Sequence, residues 1–224
     1  MRISVVIPAW REAGTIEGAV RSALEIGDEV VVADAKSPDE TAAIAERAGA
    51  RVVVAPRGRG PQLHAGAQAA IGDILLFLHA DARLPPAARG AILSALSNPS
   101  IVGGNFLLRF EPRTRAGRFF SWANDVRRRR LGIYYGDSAV FMRRAVYVAL
   151  GGFRPMPLFE DYELFRRLER LGPTAYIRDV EVTASARRFE RAPGKTLVLW
   201  SLLQVLYSMG ASPDRLARLY RRID

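Results

Sequence analysis

Between residues 3 and 78 the chain alternates continuous apolar runs with stretches whose apolar residues recur at helical spacing. The runs at 3–8, 29–34, 51–55 and 74–78 read as strands, the last apolar throughout. Ile16, Ala19, Val20, Ala23 and Leu24 mark a helix over 15–24, closed by Gly27 and Asp28. Further helices are expected from 39 or 40 to 48 and over 62–70, with Gly and Pro making 56–61 a loop. This alternation predicts βαβ units, hence an α/β fold with a mostly parallel, twisted central sheet flanked by helices. Past residue 100 the rhythm loosens into a strand at 101–110, an amphipathic helix at 116–130 and a short strand at 137–142. A helix at 159–171, stopped by Gly172-Pro173, and a strand at 175–182 follow. Helical stretches at 195–209 and 213–222, parted by Gly210, form the tail. With no internal repeat and no long linker, residues 1–224 are expected to form one domain, in which 1–100, 101–192 and a helical tail at 193–224 are successive parts.

Composition narrows the chemistry. A chain of 224 residues that is 49% hydrophobic can bury a substantial core. It has no cysteine, which excludes a disulfide framework, a thiolate zinc site and a cysteine nucleophile, so any metal would be held by oxygen or imidazole. The net charge of +10 is almost wholly arginine, since Lys36 and Lys195 are the only lysines. Guanidinium forks suit phosphate oxygens, so nucleotides, nucleic acid, anionic lipid or an anionic acceptor are candidate partners, against the plainer reading of arginines on solvated faces. The N-terminal apolar run is too short for a signal peptide, and the apolar stretch at 197–209 is shorter than the roughly 20 residues that cross a bilayer. Neither a Gly-x-Gly-x-x-Gly turn after the first strand nor a P-loop is present.

Pro8, Asp34, Arg57 and Asp81 all fall at or just past the C-terminal ends of expected strands, the edge where open parallel sheets bind ligands. His79 and Asp81, two residues apart, would point the same way from a strand and could share Mn2+ or Mg2+. The same spacing equally allows a hydrogen-bonded strand-end histidine and an aspartate capping the next helix. Glu160 and Asp161 open a helix, where acids suit the helix dipole, and a carboxylate there could also serve as a general base.

In order along the chain, these residues resemble the family 2 glycosyltransferases of the GT-A fold. The resemblance covers nearly the whole sequence. Ser4-Val5-Val6-Ile7-Pro8-Ala9-Trp10-Arg11-Glu12 is similar to the family's first strand and its Pro-[Ala/Tyr]-x-Glu turn. Val32 to Thr41 looks like its second strand, with the Asp that contacts uracil and a Ser-x-Asp-x-Thr turn. His79-Ala80-Asp81 falls where the family carries Asp-x-Asp, and Glu160-Asp161 where it carries Glu-Asp. The runs at 57–63, 77–81, 136–138 and 186–190 resemble a small, single-domain bacterial subgroup associated by name with radical-SAM gene neighbourhoods. That subgroup also has His at the first metal-motif position.

The resemblance implies a transferase using a nucleotide sugar, uridine-linked, and an unidentified acceptor. It implies a nucleotide-binding half at 1–100 and an acceptor-side half at 101–192. Pro8, Ala9, Glu12 and Asp34 would line the nucleoside pocket, Arg57 and Arg59 would serve the donor diphosphate, and Gln62 and Arg188 would also belong to the donor-binding residues. Asp81, with His79 beside it, would hold Mn2+ or Mg2+, while Glu160 and Asp161 form the catalytic pair, Asp161 as base of an inverting displacement. A nucleotidyltransferase and a non-catalytic sugar-nucleotide-binding module remain as alternatives. Nucleic acid ranks last, because no nucleic-acid-reading motif accompanies the charge. The expected location is cytoplasmic. The apolar stretch at 197–209 leaves packing, peripheral contact with the inner face of a membrane and a homodimer contact all open.

Overall fold

A computed structural model describes residues 1–187 and 192–223, the last three by backbone alone. Strands β1 (Ile3–Ala9), β2 (Glu29–Asp34), β3 (Arg51–Val54) and β4 (Ile74–Phe77) pair in parallel, β1 lying between β2 and β4. The helices α1 (Ile16–Leu24), α2 (Thr41–Arg47) and α3 (Arg59–Ala69) make the crossovers. β1, β2 and β4 are covered on both faces, which is why they read as apolar runs, whereas β3 at the sheet's edge is partly exposed. Val5, Ile7, Val30 and Val32 point into one core with Ile16, Ala19 and Val20 of α1. The alternate residues Val6, Val31, Leu75 and Phe77 enter a second core with Leu63 and Ala67 of α3.

The second half adds β5 (Ala82–Arg83), α4 (Ala88–Ala95), β6 (Gly103–Glu111), α5 (Arg115–Leu131) and a 3-10 turn at Gly136–Ser138. It continues through β7 (Val140–Arg143), α6 (Arg144–Ala149), α7 (Glu160–Leu171), β8 (Thr174–Ser185), α8 (Pro193–Ser208) and α9 (Pro213–Ile223). The eight strands form one sheet in the order β3-β2-β1-β4-β7-β6-β8-β5. β7 is antiparallel to both β4 and β6, β6 and β8 are parallel, and β5 pairs antiparallel with β8. The expected parallel order therefore holds across β3-β2-β1-β4, and β7 reverses it at the sheet's centre.

Several expectations change in detail. Helix α3 starts at Arg59, so this arginine belongs to a first helical turn and not to the loop before it. The strand expected from 137 begins at Val140, because residues 136–138 coil into the 3-10 turn and Ala139 takes a left-handed φ of 49°. The capping reading of Asp81 fails: β5 follows it, and α4 is capped by Ala87 without a side-chain bond.

Three of the four arginines in the run at 127–130 are engaged by neighbouring side chains. Arg128 bonds Asn105, Thr174 and Glu169, Arg129 pairs with Asp125, and Arg127 lies over the Tyr135 ring. Arg129 and Arg130 are the exposed members of the four, Arg129 keeping its pairing with Asp125. Helix α8 packs through Leu199 and Leu203 onto Phe159 and Leu216, while Val198, Leu202, Val205 and Met209 stay exposed on its far side. Among the described residues no helix is long and apolar enough to cross a membrane.

Candidate active site

The loops after β1 and β2 are tied together by short polar contacts. Asp34, buried, accepts from the Ser37 N–H at 2.8 Å and from the Ser37 hydroxyl, folding the turn behind β2. The Glu12 N–H donates to Thr41 Oγ1 at 2.8 Å, and the Glu12 carboxylate accepts from Thr15 Oγ1 at 2.9 Å. Gln62 is also buried. Its amide donates to the carbonyls of Ala9 (2.7 Å) and Ala33 (2.9 Å), holding the ends of β1 and β2 together. Its NH2 group is thus committed to the scaffold. Pro8 is partly exposed at that end of β1, and Ala9 is buried beside it. Arg57 lies over the Trp10 ring at 4.4 Å, which carries its exposed guanidinium to the mouth of the same edge.

Across the edge, α7 delivers the acid pair. Asp161 Oδ2 accepts from the Gly136 N–H at 2.8 Å and from Arg59 at 3.4 Å, and Oδ1 accepts from the Tyr162 N–H at 2.7 Å. Arg59 Nε donates to Glu160, so one guanidinium serves both carboxylates, each of which is only 3% exposed. Burial pushes the Glu160 carboxyl above its ordinary value, with Arg59 opposing and Asp161 adding to the rise. Arg59 is itself held more strongly protonated than usual by the two acids, despite its burial. Gly136 lies close against both side chains: a Cβ there would sit 3.0 Å from His79 Nε2 and 3.3 Å from Asp161 Oδ2, so a larger residue would press on them. The histidine and the base candidate therefore flank the same backbone atom.

The acids are aimed by a strained residue. Phe159, just ahead of them, has φ 65° and is pinned by stacking on Tyr207 of α8 at 4.5 Å. Among the described residues, the other positive-φ non-glycines are Arg11, Lys36 and Ala139, in the turns after β1, β2 and the 3-10 turn. Left-handed non-glycine residues are costly, and here they gather around one edge of the sheet.

His79 and Asp81 do not lie on a strand. β4 ends at Phe77, and the Ala82 N–H closes a turn onto the His79 carbonyl at 3.1 Å, so pleat alternation does not govern the two side chains. His79 faces Gly136, whereas Asp81 lies 3.6 Å from Arg187, which also donates to Glu12 at 2.8 Å. Among the described residues no group of three or more acids and imidazoles could cage a metal alone. A cation at Asp81 would therefore draw most of its oxygens from a diphosphate, which suits Mg2+ or Mn2+ and the one-carboxylate donor set offered here. Arg188 lies outside the described residues.

Two residues that sequence reasoning left out of the site belong to this cluster: Asp137, inside the 3-10 turn, and Arg127. The run Gly136-Asp137-Ser138 was a motif match without a role, and Arg127 was hidden in a basic run. Burial pushes Asp137 up to about 6, with Arg127 and Arg59 opposing and Asp161 and Asp81 adding to the rise. A carboxyl raised above its unfolded value of about 4 leaves the native state binding more protons, so its contribution to stability is lost as pH rises from about 4 to about 6. Asp137→Asn should therefore stabilise the fold near pH 7 by about 2 kcal/mol, discounted for partial exposure, and little near pH 4. Urea unfolding of both proteins at the two pH values measures the difference.

A parallel half-sheet with ligand-side turns, an antiparallel β7 at its centre and an acid-opened helix facing the β4 turn make this a GT-A fold, the architecture of nucleotide-sugar transferases. The glycosyl transferase family 2 model matches residues 4–148, more than half of the sequence, and the chain belongs to that family. It is 33% identical over 125 residues to an uncharacterised glycosyltransferase of Mycobacterium bovis, a match covering 55% of each, so it spans about half the length of the curated relatives it matches. An uncharacterised glycosyltransferase of Rickettsia felis is 39% identical over 84 residues, 37% of this chain and 30% of the relative. Among solved structures, glucosyl-3-phosphoglycerate synthase of Mycobacterium tuberculosis, in complex with Mn2+, uridine diphosphate and glucosyl-3-phosphoglycerate, is 25% identical. It superposes with a TM-score of 0.60 over 82% of this chain and 70% of that one. Mannosyl-3-phosphoglycerate synthase from Rubrobacter xylanophilus shares the fold at 18% identity, with a TM-score of 0.60 over 94% of this chain and 76% of that one.

Proposed function

We propose that this chain transfers a sugar from a nucleoside diphosphate donor, uridine-linked, to a hydroxyl or similar nucleophile of an acceptor, with inversion at the anomeric carbon. The observation that carries this is the meeting at Gly136 of His79, from the turn after β4, with Asp161 at the start of α7. That contact brings a donor-side turn and a buried carboxylate to one sheet edge. The complex of the mycobacterial synthase with Mn2+ and uridine diphosphate supports the donor and metal assignments.

In this reading the turns after β1 and β2 receive the nucleoside at Pro8, Ala9, Glu12 and Asp34. Asp81 would hold the divalent cation, which supplies positive charge against the departing diphosphate. Arg57 adds guanidinium charge at the mouth of that edge. Asp161 takes the acceptor proton as the acceptor oxygen bonds the anomeric carbon and the bond from that carbon to the phosphate oxygen breaks. Gly136 and Tyr162 hold the Asp161 carboxylate through their N–H groups, and Glu160 keeps Arg59 in place beside it.

Calorimetry with uridine diphosphate tests the metal assignment. Mn2+ should tighten binding by about 10- to 100-fold in the unmodified protein, and Asp81→Asn should erase that gain. Metal-independent binding without donor turnover would instead point to a binding module. Release of pyrophosphate in place of uridine diphosphate would mark a nucleotidyltransferase.

A further inference from the structure

We propose that the outward face of α5 is a docking surface for an anionic lipid bilayer. Arg115, Arg118, Phe119, Trp122, Val126 and Arg130 recur at helical spacing, so they share one side of this helix. On the opposite side Gly117, Phe120 and Ser121 are buried. Phe119 is 43% exposed and Trp122 58% exposed, and the three arginines are exposed with them. The two rings touch at 5.9 Å, and Phe119 abuts Phe120 at 5.6 Å, which in turn meets Trp200 of α8 at 5.9 Å. The aromatics are thus a platform braced from beneath by the core.

Charge decides what this platform fits. Arginines lie on both sides of the aromatic centre, and no acid occupies the first turn. The one acid of the helix, Asp125, is buried and engaged by Arg129, Tyr176 and Arg178. Arg115 and Arg118 in the first turn oppose the helix dipole, so helix stability does not account for them. An apolar, tryptophan-bearing strip edged by arginines matches a helix lying in the plane of a membrane interface, where the rings enter the headgroup boundary and the guanidinium groups meet lipid phosphates. A twofold contact with a second copy would set these arginines against one another. Single-stranded nucleic acid is bound in charged grooves, and this face is the convex side of a helix.

Flotation with vesicles of phosphatidylcholine alone, or mixed equally with phosphatidylglycerol, tests the proposal on the full chain. The protein should bind the mixed vesicles and prefer them about tenfold or more. The double variant Phe119→Ser/Trp122→Ser should weaken binding about tenfold or more. Arg115→Gln/Arg118→Gln should remove the preference for anionic lipid and its salt sensitivity. Both should keep the Tm, since all four side chains are exposed. Fluorescence should shift to the blue on the vesicles, and this shift should be absent in Trp122→Phe. No binding to mixed vesicles, or binding that neither double variant alters, overturns the proposal. So does a dimer that the aromatic variant dissolves, or binding to an RNA oligonucleotide in place of vesicles.

Discussion

Asp161→Asn is expected to lower turnover by about three orders of magnitude while leaving uridine diphosphate affinity nearly unchanged, the loss characteristic of a removed general base. The substitution preserves shape and one carbonyl oxygen, and Arg59 keeps its pairing with Glu160, so the fold should survive. It removes the one property the mechanism needs, a carboxylate able to accept the acceptor's proton. The readouts are kcat under saturating donor and calorimetric Kd for uridine diphosphate with Mn2+. Intact turnover with intact donor binding would assign the base elsewhere, with Asp137 the next carboxylate of the cluster to examine.

Arg59→Ala should be the most damaging single change to stability, at about 3–5 kcal/mol near neutral pH, because it strips the counter-charge from two adjacent, desolvated carboxylates. The sign with pH follows from Glu160. Its native pKa already stands above the ordinary value because of burial, and Arg59 is the group that restrains it. Without Arg59 the native carboxyl holds its proton to higher pH than the unfolded chain does. The deficit is therefore small near pH 4 and grows as pH rises through the native pKa. Urea unfolding at both ends of that range reads it directly. Adding Glu160→Gln should recover part of the loss, whereas Arg59→Lys should rescue poorly, since a compact ammonium lacks the fork that spans both acids. A loss below about 1 kcal/mol for Arg59→Ala would mean that the pair behaves as a solvated one.

The apolar runs of β1, β2, β3 and β4, and the amphipathic spacing of α1, were enough to determine the βαβ half of this protein. β1, β2 and β4, buried on both faces, must be apolar along their length, β3 at the sheet's edge carries its run by β-branched valines, and a helix covering the sheet must repeat at its own period. The order of the strand-end residues likewise determined the family resemblance, because motif order is a property of the chain. The partners of those residues were not determined in this way. Gln62 carries no sign in its neighbours that its amide will bridge Ala9 and Ala33, and Arg59 none that it will clamp two acids from α7. His79 and Asp81 were placed on one face by strand periodicity, and the early end of β4 cancels that argument. Asp137 and Arg127 enter the cluster only because β7 inserts antiparallel between β4 and β6, which carries the 3-10 turn to the ligand edge. Periodicity records which side of an element meets the core, a local fact. Which charged groups then share one low-dielectric edge depends on contacts between residues far apart in sequence, and only the tertiary structure decides those.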